Sequence, residues 1–135
     1  MGVAITSMKD EGYKKAFDDS PIGMAFVSPE GKWLEVNDSL VQLLGYSREE
    51  LLTKTFQDIT HPDDLEIDLK HVRRMLAKEI ASYQMEKRYF SKSGKIVWII
   101  LSVALVWKED GSPDFFVSQI QDITEMKDKI KELET

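Results

Sequence analysis

The chain has no cysteine among its 135 residues, which excludes disulfide bridges, thiolate nucleophiles and cysteine-ligated metals without fixing the redox compartment. Long hydrophobic runs are missing too. No window approaches the run of about eighteen apolar residues that a membrane span requires, and no basic n-region followed by an apolar h-region opens the sequence. A cytoplasmic location is therefore expected. Basic charge is in the minority: Lys and Arg total 18 against 24 Asp and Glu, a net charge of −6. Phosphate contacts need a basic face, so nucleic acid is not expected as a partner. The one basic cluster, Lys70, His71, Arg73, Arg74 and Lys78, reads as the outer face of a helix. Catalytic signatures are equally scarce. There is no phosphate-binding glycine loop, HExxH or nucleophile elbow, and no acid, base and nucleophile set, so the chain is not expected to be an enzyme. The acidic run Asp58, Asp63, Asp64, Glu66 and Asp68 lacks calcium-loop spacing and suits the positive end of a helix.

What is present is an ordinary globular composition, 42% hydrophobic and 31% charged, in a length that fits one domain with its own core. The opening Met1-Gly2-Val3-Ala4-Ile5-Thr6 matches a loose N-acylation pattern, but a lone acyl chain anchors weakly and Gly2 reads as a chain-start residue. Lys9 to Phe17 predicts a short helix, closed by the breaker sequence Asp18-Asp19-Ser20-Pro21. Two apolar runs around Pro29-Glu30-Gly31 predict a β-hairpin. A helix comes next, with Asn37 or Asp38 as its N-cap and Gly45 at its end. Ser47 and Glu50 then form the capping box of another helix, with Tyr46 and Leu51 at the staple positions. Pro62 opens a longer helix whose Leu65, Leu69, Val72 and Leu76 share one face. Three strand-like runs complete the domain, "SYQMEKRYF", "KIVWIILSVALVW" and "PDFFVSQIQ".

The middle run is apolar at every position from Ile96 to Leu101 and nearly so from Val103 to Trp107. A strand with one wet face alternates, so its outer face needs cover from a terminal helix or from a second copy of the chain. A homodimer is expected. The closing segment has Ile123, Met126, Ile130 and Leu133 at steps of three, four and three, the seam pattern of a coiled coil. Charges of both signs flank it. Two heptads are marginal alone, so the segment is expected to be the start of something longer.

Taken in order, "WLEVNDSLVQLLGYSREELL", "ITHPDDLE", "FSKSGKIVWI" and "QDITEMK" resemble a PAS domain of the S-box type, over about Phe17 to Thr124. The resemblance implies an α+β PAS fold: a five-stranded antiparallel sheet with short helices over one face, enclosing a pocket, plus the N-terminal helix and a C-terminal signalling helix. The implied plan is a tail and helix over 1–16, the PAS domain over 17–124 and the start of a coiled-coil signalling helix over 125–135. Such domains usually precede histidine kinases or diguanylate cyclases. The implied function is a regulatory sensor that dimerises and relays a signal to such an effector. A ligand-free structural dimerisation module is the alternative, and a haem-binding gas or redox sensor a more remote one.

Inner-face candidates are Met24, Phe26, Leu40, Leu69, Val72, Met85, Leu101 and Phe116. All are apolar, which describes a dry pocket for a small apolar or aromatic ligand, or a packed core. Asn37 could reach such a pocket, although N-capping suits it better. Flavin-binding relatives hold the ring with amide side chains at positions that fall here on Tyr89, Ile99 and Ile120, and carry a reactive Cys absent here. Haem-binding relatives use a His on the long helix, near Leu69 here. His71 lies roughly 135° from the apolar face of that helix at about 100° per residue and is expected to point to solvent, while His61 reads as a helix-entry residue. Neither flavin nor haem is expected. The family's Asp-Ile-Thr motif, which couples the last strand to the output helix, falls on Asp122, Ile123 and Thr124, with Thr124 a suitable N-cap.

Overall fold

The computed structural model describes residues 3–134, with side chains from residue 11 onward; Met1 and Gly2 of the acylation-like pattern lie outside them, as does Thr135. The first helix, α1, runs Val3–Asp19, longer at both ends than the predicted Lys9–Phe17. It stops at Ser20, where the following Pro21 disfavours helical backbone. Strands β1, Gly23–Val27, and β2, Trp33–Val36, form the hairpin expected around Pro29-Glu30-Gly31. Gly31 has φ +101°, and a Cβ there would collide with the Gln57 side chain, so this turn requires glycine.

Four helices come next, each opened by a cap. In α2, Asp38–Leu44, Asn37 Oδ1 accepts from Leu40 N–H and Gly45 ends the helix at φ +80°. Helix α3, Arg48–Leu52, carries the Ser47–Glu50 capping box. A second box, Thr55–Asp58, opens α4, Phe56–Ile59. Helix α5, Pro62–Leu76, starts with Pro at the first turn and His61 Nδ1 accepting from Asp63 N–H, the helix-entry role predicted for His61.

Strands β3, Ser82–Phe90, β4, Ile96–Trp107, and β5, Pro113–Asp122, complete one antiparallel sheet in the order β2-β1-β5-β4-β3. The last helix, α6, runs Thr124–Glu134. The predicted α+β architecture and the terminal helices are present as expected. The core lies between one face of the sheet, with Ala25, Val27, Tyr89, Val97, Ile99, Leu101, Phe116 and Ile120, and the helical layer, with Leu40, Leu44, Leu51, Phe56, Val72 and Met75. Strand β1 alternates in burial, with Gly23, Ala25 and Val27 inward. Met24 and Phe26 therefore face outward, the reverse of the inner-face expectation.

Burial alternates along β4 as well, despite its unbroken apolar composition. Its outward residues are only partly covered by this chain. Phe17 of α1 stacks on Phe26 at 5.0 Å between ring centres, and Phe26 meets Phe115 at 5.1 Å. The root of α6 lies against Trp98. Ile96 and Val106 remain 39% and 38% exposed.

Candidate functional site

The interior expected to be dry contains a lysine. Lys87 projects from β3 into the core and is fully buried, and its Nζ donates to Asp68 Oδ2 of α5 at 2.5 Å and to Thr60 Oγ1 at 2.9 Å. Its charge also faces the rings of Tyr89 and Phe56, at 4.6 and 5.1 Å from the ring centres. Tyr83 completes the group by donating its hydroxyl to Asp68 Oδ1 at 2.6 Å. Burial pushes the Lys87 pKa down, against the pull of Asp68, and pushes the Tyr83 and Tyr89 hydroxyls up. Each buried charge is thus paired and hydrogen-bonded, the condition on which a protein interior accepts one.

Beside this group is a cavity of about 20 Å³, lined among others by Trp33, Asp68, Tyr83, Lys87, Phe116 and Ser118. That is room for about one water molecule. Trp33, one of the lining residues, has an Nε1 that is buried without a hydrogen-bond partner, an unused donor. Among the described residues, no group of three carboxylates or imidazoles stands where it could hold a metal ion.

The predicted pocket residues divide. Val72, Leu101 and Phe116 line the cavity. Leu40, Leu69 and Met85 belong to the packing around it rather than to its wall. Phe26 is on the other side of the sheet, in the aromatic contact with α1. Asn37 is buried, but all its hydrogen-bonding capacity is spent on the backbone: Oδ1 accepts from Met24 and Leu40 N–H, and Nδ2 donates to the Phe17 and Ile22 carbonyls. It fastens α1, β1 and α2 together and has nothing left for a ligand. His71 does not point to solvent. Its ring stacks on Tyr83 at 4.8 Å, with a buried Nδ1. Tyr89, Ile99 and Ile120, at the flavin-amide positions, are buried core residues.

At the root of α6 the three motif residues have distinct tasks. The Ile123 N–H donates to the Trp98 carbonyl, and Thr124 Oγ1 accepts from the Trp98 N–H at 3.0 Å. The Thr124 hydroxyl is therefore spent on β4. Asp122 caps instead, its Oδ1 accepting from Thr124 N–H at 2.9 Å. Lys127 Nζ stands 4.7 Å from the Trp98 ring centre and pairs with Glu86 at 2.5 Å. On another side of α6, Met126, Ile130 and Leu133 are exposed.

Residues 34–120, which span β2 to β5 and the helices between them, match the PAS fold family. The chain belongs to that family. Among curated proteins, this PAS domain is 47% identical over 121 residues to the probable diguanylate cyclase DgcE of Escherichia coli (strain K12), covering 90% of this chain and 11% of that protein. It is 26% identical over 125 residues to the sensor histidine kinase TmoS of Ectopseudomonas mendocina, covering 93% of this chain and 13% of that protein. The chain thus spans about a tenth of the length of such relatives. In structure it resembles the PAS domain of a protein from Colwellia psychrerythraea, with TM-score 0.78 and 22% identity, covering 87% of this chain and 98% of that one.

The features of this PAS domain that sequence reasoning missed are Lys87, Asp68 and Trp33. A signal for the first was present: with Met85 placed inward, a period of two puts Lys87 and Tyr89 on the same face. Asp68 was hidden in an acidic run that helix polarity already explained. Among the described residues no helix is long and apolar enough to cross a membrane.

Proposed function

We propose that this PAS domain is a regulatory module that dimerises and passes the state of its interior or sheet face to a covalently linked histidine kinase or diguanylate cyclase through α6. The observation that carries this reading is the contrast along α6. One side of its first turn is tied to the Trp98 backbone and ring, whereas another side exposes Met126, Ile130 and Leu133 in coiled-coil spacing. A helix fixed at one end and apolar along one side suits transmission of rotation to a partnered seam. The domain itself performs no chemistry in this reading. It carries no flavin or haem, so the purified protein is expected to be colourless; a stoichiometric flavin or Soret band would contradict that part. A small apolar ligand remains the proposed occupant of an opened cavity.

Fusion to a cyclase or kinase output tests the relay. One residue inserted after Thr124 rotates the downstream helix by about 100°, and seven nearly restore the heptad phase. The single insertion is expected to change output strongly and the seven-residue insertion little. The cavity of about 20 Å³ favours a second reading, a ligand-free dimerisation module. Equal output at every insertion length would leave that reading in place.

A further inference from the structure

Helix α5 holds the edge of the sheet from both sides. Asp64 and Asp68 stand one turn apart on α5, and they pair with Arg88 and Lys87, neighbours on β3 that a strand turns to opposite faces. Strand β3 is an outermost strand of the sheet. On the inner side Lys87 meets Asp68 at the cavity wall. On the outer side Arg88 N–H and Nε donate to Asp64 Oδ2 at 2.8 and 2.9 Å, and Nη2 donates to Oδ1 at 2.7 Å. A guanidinium held by a carboxylate at two points has a fixed direction as well as a fixed distance.

The other side of that guanidinium is also engaged. Arg88 is paired across the sheet with Trp98, and its guanidinium carbon lies 5.0 Å from the Trp98 ring centre. The same ring meets Lys127 of α6, and the Trp98 backbone bonds both Ile123 and Thr124. A continuous set of contacts therefore runs from α5, around the sheet edge, to the root of the last helix. It does not pass through the sheet's packed interior.

We propose that Arg88 and Trp98 transmit displacements of α5 to α6, so that a change at the Asp68–Lys87 end of the cavity alters how firmly the output helix is docked. The proposal rests on the relay function above and names the residues that perform it. Neither residue is a ligand contact. Both act by positioning the first turn of α6.

The test needs neither ligand nor effector. Amide hydrogen exchange is measured at Asp128, Lys129 and Ile130 of α6, with the central-strand amides of Leu101 and Ile120 as the reference for global stability. Asp64→Asn, made together with Asp63→Asn because Asp63 lies 4.0 Å from Arg88 Nη2 and could recapture it, is expected to speed the α6 amides by about threefold or more relative to the reference. In a Lys127→Met background the same pair of changes is expected to have a clearly smaller effect, because the ring contact to α6 is gone and only the Trp98 backbone bonds to Ile123 and Thr124 remain. Arg88→Lys keeps the charge and loses the two-point grip, and serves as the second probe should the carboxylate variant fail to fold. Unchanged α6 exchange, a rise shared equally by the reference amides, an effect that persists in full with Lys127→Met, or an unprotected α6 in the unaltered protein would each overturn the proposal. The insertion series would still decide the relay function separately.

Discussion

A lysine ammonium with no solvent exposure is tolerable only because Asp68, Thr60 and two aromatic rings surround it. Removing one partner strands the other charge in the core, so Lys87→Met is expected to cost roughly 3 kcal/mol or more, read as a fall in the urea midpoint. Joining it to Asp68→Leu removes both charges and is expected to recover a large part of that loss, since apolar replacements of buried pairs are often neutral. Asp64 gives a pH signature. Hydrogen bonds from Arg88 hold its pKa below the usual carboxylate value, so the native state binds that proton more weakly than the unfolded chain. Its stabilisation is complete above about pH 4, the ordinary carboxylate range, and fades as pH falls through the lowered native value. Urea midpoints measured from neutral pH downward should therefore drop less steeply in Asp64→Asn. Identical acid limbs would remove Asp64 from the account.

Helices here were readable in proportion to how local their causes are. Asn37, Gly45 and the Ser47–Glu50 box announce α2 and α3 because a cap acts within four residues. The buried face of α5 was read less well. Leu65, Leu69, Val72 and Leu76 were expected to share it, yet Asp68, Val72 and Met75 are the buried residues, with the three leucines half covered. Hydrophobic periodicity cannot weight a carboxylate whose partner is a lysine nineteen positions away. Asn37 shows how one side chain joins elements, since it binds α1, β1 and α2 at once. Asn37→Ala is expected to cost about 2 to 3 kcal/mol, more than the roughly 1 kcal/mol of a simple cap, because buried backbone groups lose their partners. Limited proteolysis should then cut faster at Ser20 to Ile22, where Phe17 and Ile22 carbonyls lose their donor. Asn37→Asp keeps the acceptor and loses both donors, so a cutting rate like that of the unaltered protein in this variant would show that capping alone matters.

For the molecule as a whole, the proposed dimer rests on the outer face of the sheet. Phe17 and the root of α6 cover parts of it, while Ile96 and Val106 stay more than a third exposed. A two-fold contact that uses this face and α1 is the expected cover. Ile100→Glu, mid-face and opposite Glu86, should then shift the light-scattering mass from dimer to monomer. A monomeric unaltered protein would refute the interface. The sequence alone determined the strand count, the family likeness and the caps of α2, α3 and α5, because each arises from spacings of a few residues and from motifs read in line; the Thr55–Asp58 box of α4 went unread. It also located the start of the last helix at Asp122 to Thr124. Only the tertiary structure decided which face Phe26 takes, that the interior holds Lys87 and Asp68, that His71 lies against Tyr83, and that Thr124 binds β4 while Asp122 caps. Each of those depends on register between segments far apart in the chain, and a side chain's environment is set by partners that the local pattern does not contain.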